Sequence, residues 1–385
     1  MIKRPIKNIA QKNKIITNIL EAMKKGEHFL IIGHQNPDED CIASMVAFSL
    51  LLNKFFKDTR IYLGTGVHEH FQYLMNICRY NDIGVVYRSS DIPRSVDTVV
   101  VCDTAKLSMV YSPGVVKQLQ RRGALILEID HHVGSDSTYI GDPDHCLITE
   151  ATSTCELITR IVLKLRKRRD MLEYYEIEDP FTRNIILALL TGMIGDTNMG
   201  RYLKSRREKR SYRLYTNLLN NLLAEKTTKG TNFSNKEEVF SELQRLSREE
   251  ENCFGYFMDR KKFSNSIGYV IMSGDEMDYL GGHFSSDTIV SVSRYVANTL
   301  AEESRKLSLV VYYDSPVSSD LIQFRMRRSH AYRGFDLRRV LKLFSITNGG
   351  GHEGAIGFRI PRNQVPDIHG YVTMLLDGIE KAIAG

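Results

Sequence analysis

The stretch "ALILEIDHHVGSD", residues 124–136, passes from a short apolar run to an acid and two imidazoles side by side. Apolar runs of this length, bounded by polar residues, have the pattern of buried strands. Others recur upstream as "HFLIIG" (28–33), "RIYL" (60–63) and "DTVVVC" (97–102). Between the first two, "CIASMVAFSLLLNKFF" (41–56) has the length and spacing of a helix packed on a sheet. Strands alternating with amphipathic segments predict an α/β fold whose N-terminal part is a doubly wound parallel sheet.

In open parallel sheets, ligands bind beyond the carboxyl ends of the strands. The first strand is followed by "HQNPDED" (34–40), the third by Asp103 and the fourth by Asp130, His131 and His132. Three strands thus deliver His and Asp to one edge. Pro37 disfavours helix around it, which predicts a loop carrying His34, Asp38 and Asp40. Asp196 closes the apolar stretch "NIILALLTGMIG" (184–195) and adds a fourth source of carboxylate. Imidazoles and carboxylates without thiolate suit manganese or a similar divalent ion. Two such ions, about 3.5 to 4 Å apart and bridged by a carboxylate, would use the whole set and serve in-line displacement at phosphorus.

A chain of 385 residues, 42% of them hydrophobic, can bury two cores. Residues 1–223 read as the catalytic domain, and 224–260, opening on the polar "AEKTTKGTNFSNKEE", as a linker. Residues 261–385 read as a smaller C-terminal α/β domain with strands "NSIGYVIM" (265–272), "LSLVVYY" (307–313) and "DLIQFRMR" (320–327) and a helix near 287–305. No apolar stretch reaches the roughly 20 residues of a membrane span, and no secretory core follows the basic first residues. A cytoplasmic protein without a membrane partner is expected. Six cysteines without a C-x-x-C pair read as reduced, buried thiols. The net charge of +6 is concentrated in "RYLKSRREKRSYR" (201–213), with seven Lys or Arg against Glu208. A solvated helix face and a contact for phosphates are both open readings.

Four motifs in order resemble those of the DHH phosphoesterases: "HQNPDEDCIAS" (34–44), "VVCDTA" (100–105), "DHH" (130–132) and "GMIGDT" (192–197). Farther on, "RRSHAYRGFDLRRVLKLFSITNGGGHEGAIGF" (327–358) resembles the DHH-associated substrate-binding domain. The resemblance implies one metal on His34, Asp38 and a bridging Asp103, and a second on Asp40, Asp103, His131 and Asp196. It implies that His132 faces the scissile phosphate, with Asp103 and Asp130 completing the catalytic set and Asp130 orienting the imidazoles by hydrogen bonds. Substrate would be held by Arg328, which can grip a phosphate bidentately, by Ser329, by the N–H groups of Gly349, Gly350 and Gly351, and by His352. The chain has Glu39 and Ala43 where the family usually has Gly; Glu39 is expected to point outward.

The function so implied is that of the nanoRNase and pAp phosphatase group. Water activated at two manganese ions would hydrolyse short RNA or DNA oligonucleotides, or small nucleotides such as pAp. A phosphodiesterase for cyclic or linear dinucleotides (cyclic di-AMP, pApA) is the alternative within the class. A nucleotide- or RNA-binding protein without chemistry is the alternative outside it, and a homodimer is an open assembly.

Overall fold

The computed structural model describes residues 2–64, 66–134, 136–203, 205–314 and 319–384. The chain divides into two units, Met1–Arg245 and Leu246–Gly385.

The first unit is built on strands β1 (His28–Ile32), β2 (Asp58–Tyr62), β3 (Gly84–Val86), β4 (Thr98–Cys102), β5 (Leu125–Asp130) and β6 (Cys146–Ile148). They form one sheet in the order β3-β2-β1-β4-β5-β6, and every pairing is parallel. Its helices are α1 (Ile9–Lys25), α2 (Glu39–Asn53), α3 (Gln72–Tyr80), α4 (Pro113–Arg121), α5 (Thr154–Leu165), α6 (Arg169–Tyr174), α7 (Arg183–Asp196), α8 (Arg206–Lys226) and α9 (Lys236–Leu243).

Successive strand side chains point to opposite faces. Phe29, Ile31, Val100, Cys102, Leu127 and Ile129 therefore enter one core with α1, α2, α5 and α7. Leu30, Ile32, Val99, Val101 and Ile126 enter another beneath α4, through Val115, Val116 and Leu119. Burial on both faces explains why the strand runs are apolar throughout rather than alternating. The sheet is doubly wound, as expected. Helix α2 is buried along its length from Asp40 to Leu52. Its two inner serines, Ser44 and Ser49, donate to the carbonyls of Cys41 and Met45 at 2.9 Å, which satisfies hydroxyls that water cannot reach.

The polar segment 224–260 is not a plain connection, which corrects the linker expectation. It holds the end of α8, all of α9, and α10 (Arg248–Met258) of the second unit. The side chain of Asn235 caps α9, and a reciprocal Ser247–Glu250 pair caps α10. Val239 and Leu243 then bury in the first unit, and Cys253 and Phe257 in the second. These helices are short, and so few apolar positions escape notice in a polar composition.

The second unit is a mixed sheet of β7 (Lys262–Phe263), β8 (Ile267–Ile271), β9 (Leu307–Tyr313), β10 (Leu321–Arg328), β11 (Gly349–His352) and β12 (Ala355–Pro361), in the order β11-β12-β10-β9-β8-β7. Besides α10 it has α11 (Gly274–His283), α12 (Ser286–Ser304), α13 (Arg338–Leu343) and α14 (Ile368–Ala384). Leu307, Leu309 and Val311 pack with Val372, Leu375 and Ile379 of α14, while Val310 and Tyr312 pack with Val292, Val296 and Leu300 of α12. The glycine run Gly349–Gly351 belongs to the edge strand β11, antiparallel to β12. Gly351 has φ 140°, and a Cβ there would lie 2.2 Å from the Ala355 carbonyl oxygen, so this pairing requires glycine.

Candidate metal centre

Strands β1, β4 and β5 are neighbours, and the chain reverses its direction of travel across the sheet between β1 and β4. Their carboxyl ends are therefore the topological switch point, where a crevice opens in such sheets. His34 follows β1, anchored by the Tyr111 N–H on the Gly33 carbonyl at 3.1 Å and the Gln35 N–H on the Met109 carbonyl at 2.8 Å. Asp103 follows β4 with φ 51°, a left-handed backbone that costs a residue with a side chain roughly 1–3 kcal/mol. Its N–H donates to the Ile129 carbonyl of β5 at 3.0 Å, which holds the kink.

Asp38 ends the loop expected from Pro37, but Asp40 is helical, contrary to that expectation. Asp38 is the N-cap of α2, accepting the Cys41 N–H at 3.1 Å, and Asp40 lies in the first helical turn. A proline restricts chiefly the residue before it, so the helix can begin two positions later. Both carboxylates gain from the positive end of the helix dipole. Asp196 ends α7, whose Gly192 and Gly195 admit α2 closely. A Cβ at Gly192 would lie 2.6 Å from Asp40 Oδ1, and one at Gly195 2.3 Å from Glu39 Cβ. Glu39 is thus packed against α7 rather than pointing outward, and burial, with Asp38 beside it, raises its carboxyl.

The sequence-derived set converges. His34 Nε2 lies 3.7 Å from Asp38 Oδ1 and 3.8 Å from Asp103 Oδ2. His131 Nε2 lies 3.3 Å from Asp103 Oδ1, 3.8 Å from Asp196 Oδ2 and 4.0 Å from Asp40 Oδ2. The two oxygens of Asp103 therefore face two separate imidazole and carboxylate groups. Asp130 Oδ1 accepts from the His132 N–H at 3.1 Å and from ring Nδ1 at 2.7 Å, so Nδ1 carries the hydrogen. Asp130 orients only that ring, because His131 Nδ1 lies 3.4 Å from the Ala151 carbonyl instead.

The stretch "ATSTCE" (151–156), which sequence reasoning missed, supplies the support. Ser153 caps α5, and Asp40 accepts the N–H groups of Thr154 at 2.5 Å and Cys155 at 3.0 Å. Thr154 Oγ1 donates to Asp103 Oδ1 at 2.9 Å. A Ser with Glu three residues on was the available signal of a helix start, but nothing local links it to Asp40.

Electrostatics favour a cation at the centre. Burial, then Asp103 and Asp196, push the Asp40 carboxyl well up; burial, with Asp103 and Asp38, brings Asp196 to about 6. Burial opposes charge on His131, yet Asp103, Asp40 and Asp196 raise it well above the usual imidazole range. Burial likewise opposes charge on His34, and Asp38 and Asp103 outweigh it. Among the described residues no Lys or Arg pairs with Asp38, Asp40, Asp103 or Asp196. Groups of His34, Cys41 and Asp103, of Asp103, His131 and His132, and of Asp40, His131 and Asp196 each bring ligand atoms within 4.8 Å of one another. Burial raises the Cys41 thiol far above its ordinary value, and the other donors in these groups are oxygen and nitrogen. Those donors fit a divalent cation of the manganese or magnesium kind. All six cysteines are free and buried.

The residues expected to hold substrate lie in the second unit. Arg328 is already engaged: Nη1 donates to the Phe335 carbonyl at 2.8 Å and Nη2 pairs with Glu353 at 3.3 Å. The buried Ser329 hydroxyl donates to Glu302 at 3.0 Å. A Cβ at Gly350 would meet nothing within 4 Å, so this face of β11 is open. The His352 side chain lies outside the described residues, as does Lys204 of the basic run.

Fold and donor set together define an α/β protein of the parallel-sheet kind whose strand ends gather groups that could hold a metal ion. Residues 28–193 match the DHH family, N-terminal domain, the stretch that carries β1 to β6 and most of the candidate ligands. An exopolyphosphatase-related protein from Bacteroides fragilis shares the fold at TM-score 0.58 and 17% identity, over 98% of this chain and 97% of that one. RecJ in complex with Mn²⁺ from Thermus thermophilus aligns at 0.43 and 11% identity, over 99% of this chain and 55% of that one. The pGpG-specific phosphodiesterase PggH from Vibrio cholerae aligns at 0.38 and 12%, over 92% and 99%. No curated protein matches the sequence. Among the described residues no helix is long and apolar enough to cross a membrane.

Proposed function

We propose that the chain is a manganese-dependent phosphoric ester hydrolase acting on short oligonucleotides or on small nucleotides such as pAp. The observation that carries this reading is Asp103, buried, held in left-handed backbone, with one oxygen toward His34 and the other toward His131. One cation would sit with His34, Asp38 and Asp103, and a second with Asp40, Asp103, His131 and Asp196. Bound there, the pair would polarise a phosphoryl oxygen and lower the pKa of water toward about 7.

The chain's own groups supply the rest. With Nδ1–H committed to Asp130, the His132 ring keeps Nε2 for a phosphoryl oxygen or leaving group, on a side chain 44% exposed. Thr154 and Cys155 fix Asp40, and Thr154 fixes Asp103, so the acids hold their positions before any ligand arrives. Such preorganisation avoids reorganisation cost during reaction. In the second unit, Arg328 would take a non-reacting phosphate by exchanging Glu353 for it, beside Ser329, the N–H groups of Gly349, Gly350 and Gly351, and His352.

The test is product release from pAp, a linear dinucleotide, a pentanucleotide RNA and cyclic di-AMP, each with Mn²⁺, with Mg²⁺ and with a chelator. Turnover of the RNA or pAp with Mn²⁺, abolished by the chelator, is expected. Absence of metal-dependent turnover on all four would overturn the reading.

A further inference from the structure

Lys3 contributes nothing to the motifs, yet its side chain is wholly buried beneath them. Its Nζ donates to Asp130 Oδ2 at 2.5 Å and to the Thr104 carbonyl at 2.6 Å, and lies 2.8 Å from Glu128 Oε1 as an ion pair. An ammonium has three N–H donors and no acceptor; two are accepted by Asp130 and Thr104, and Glu128 stands beside it as a second negative charge. The segment carrying it is pinned by backbone bonds from Lys3 N–H to the Ser137 carbonyl at 2.8 Å and from Ile6 N–H to the Ile148 carbonyl at 2.9 Å.

We infer that Lys3 is a positioning residue for His132, acting through Asp130. The two oxygens of Asp130 are divided between one task and one support. Oδ1 holds the His132 backbone and ring, and Oδ2 is held by Lys3. The same ammonium grips the carbonyl of the residue after Asp103, so one cation ties the exit of β4 to the exit of β5. Glu128 fixes the geometry from below: its Oε2 accepts the Ile140 and Gly141 N–H groups at 2.9 Å, which leaves Oε1 toward Lys3. Removing one member of a buried charge group leaves the others unpaired. Without the ammonium, the Asp130 carboxylate loses its second anchor and can turn about its Cβ–Cγ bond, and the His132 tautomer is no longer enforced.

The role in turnover rests on the phosphoesterase reading; the role in fixing the ring does not. Lys3→Met, Asp130→Asn and the double variant are compared as full-length protein, loaded with Mn²⁺ for turnover and with diamagnetic Mg²⁺ for the spectra. Lys3→Met is expected to lower kcat by about 10- to 100-fold, as loss of supporting hydrogen bonds around a metal site does, with KM and the circular dichroism spectrum little changed. The double variant is expected to be no slower than Asp130→Asn alone, because both losses act through one carboxylate. Ring ¹⁵N resonances of His132, assigned by their loss in His132→Gln, should show the single Nδ1–H tautomer in the wild type and a mixture in Lys3→Met. Lys3→Gln is read the same way and serves if Lys3→Met does not fold. An unchanged ring signal, a wild-type kcat, or losses that multiply in the double variant would overturn the inference. If the wild type hydrolyses no phosphoester, the earlier reading fails while the ring spectrum still decides the role of Lys3.

Discussion

Asp38 and Asp196 reach the same cluster at opposite electrostatic cost. The first caps the N-terminus of α2, where the dipole favours a carboxylate; the second ends α7, where it does not. Burial and its acidic neighbours leave Asp196 near 6, and the surrounding carboxylates keep His131 protonated well above the usual range. Without metal, protons supply the positive charge. Cation binding must displace them, so affinity should rise as pH climbs through about 6 and beyond. Titration calorimetry in two buffers of different ionisation enthalpy should show proton release, and an affinity indifferent to pH would contradict the coupling. His132, which is not counted among the ligands, should behave differently. His132→Ala should lower kcat by about 10²- to 10⁴-fold, the range of a lost acid–base group, with cation affinity unchanged by calorimetry.

At the scale of elements, α2 against α7 shows how far sequence could go. The glycines of "GMIGD" were visible as part of a motif, but their reason is a contact between helices distant in the chain. Gly192→Ala should destabilise, since the gain of helix propensity, about 1 kcal/mol, is outweighed by a methyl 2.3 Å from Cys155 Sγ and 2.6 Å from Asp40 Oδ1. Gly255→Ala, inside α10 with nothing within 4 Å of the new carbon, should instead raise Tm. Thermal melts of the two variants shifting in the same direction would refute this packing argument. Helix α8 shows a face that sequence left open. Tyr212, Thr216, Leu219 and Leu223 bury, while Arg206, Arg207, Lys209, Arg210 and Arg213 remain exposed. Arg207 pairs with Glu150 at 3.1 Å, one residue from the Ala151 carbonyl beside His131, so the cationic face starts next to the metal centre. Replacing Arg206, Arg207, Lys209 and Arg210 with Gln should raise KM for a pentanucleotide RNA and flatten its salt dependence, leaving pAp nearly unaffected. An unchanged salt slope would leave this face a solvated one. The strands β1, β4 and β5 were legible because both faces are buried. The three-residue β3 and β6 were not, since "GVV" and "CLI" are too short to show a period.

For the whole molecule, the edge that gathers the metal centre followed from strand ends alone, whereas its supports did not. Thr154 meets Asp40 across 114 residues and Lys3 meets Asp130 across 127, distances at which no local pattern speaks. The second unit was legible in its strands, less so at Arg328, whose engagement with Phe335 and Glu353 depends on the folded neighbourhood. Arg328→Gln should raise KM on a substrate with two phosphates and leave kcat near wild type; equal losses on a substrate with one phosphate would contradict that role. The central claim is that Asp103 serves two cations at once. Counting manganese per chain by elemental analysis in wild type, Asp38→Ala and Asp103→Ala, with turnover measured on the same samples, tests it most directly. Two ions are expected in the wild type, about one with partial activity in Asp38→Ala, and loss of both with at least about 10²-fold lower turnover in Asp103→Ala. A wild type holding a single ion, or an Asp103→Ala protein that keeps two ions and normal turnover, would contradict it.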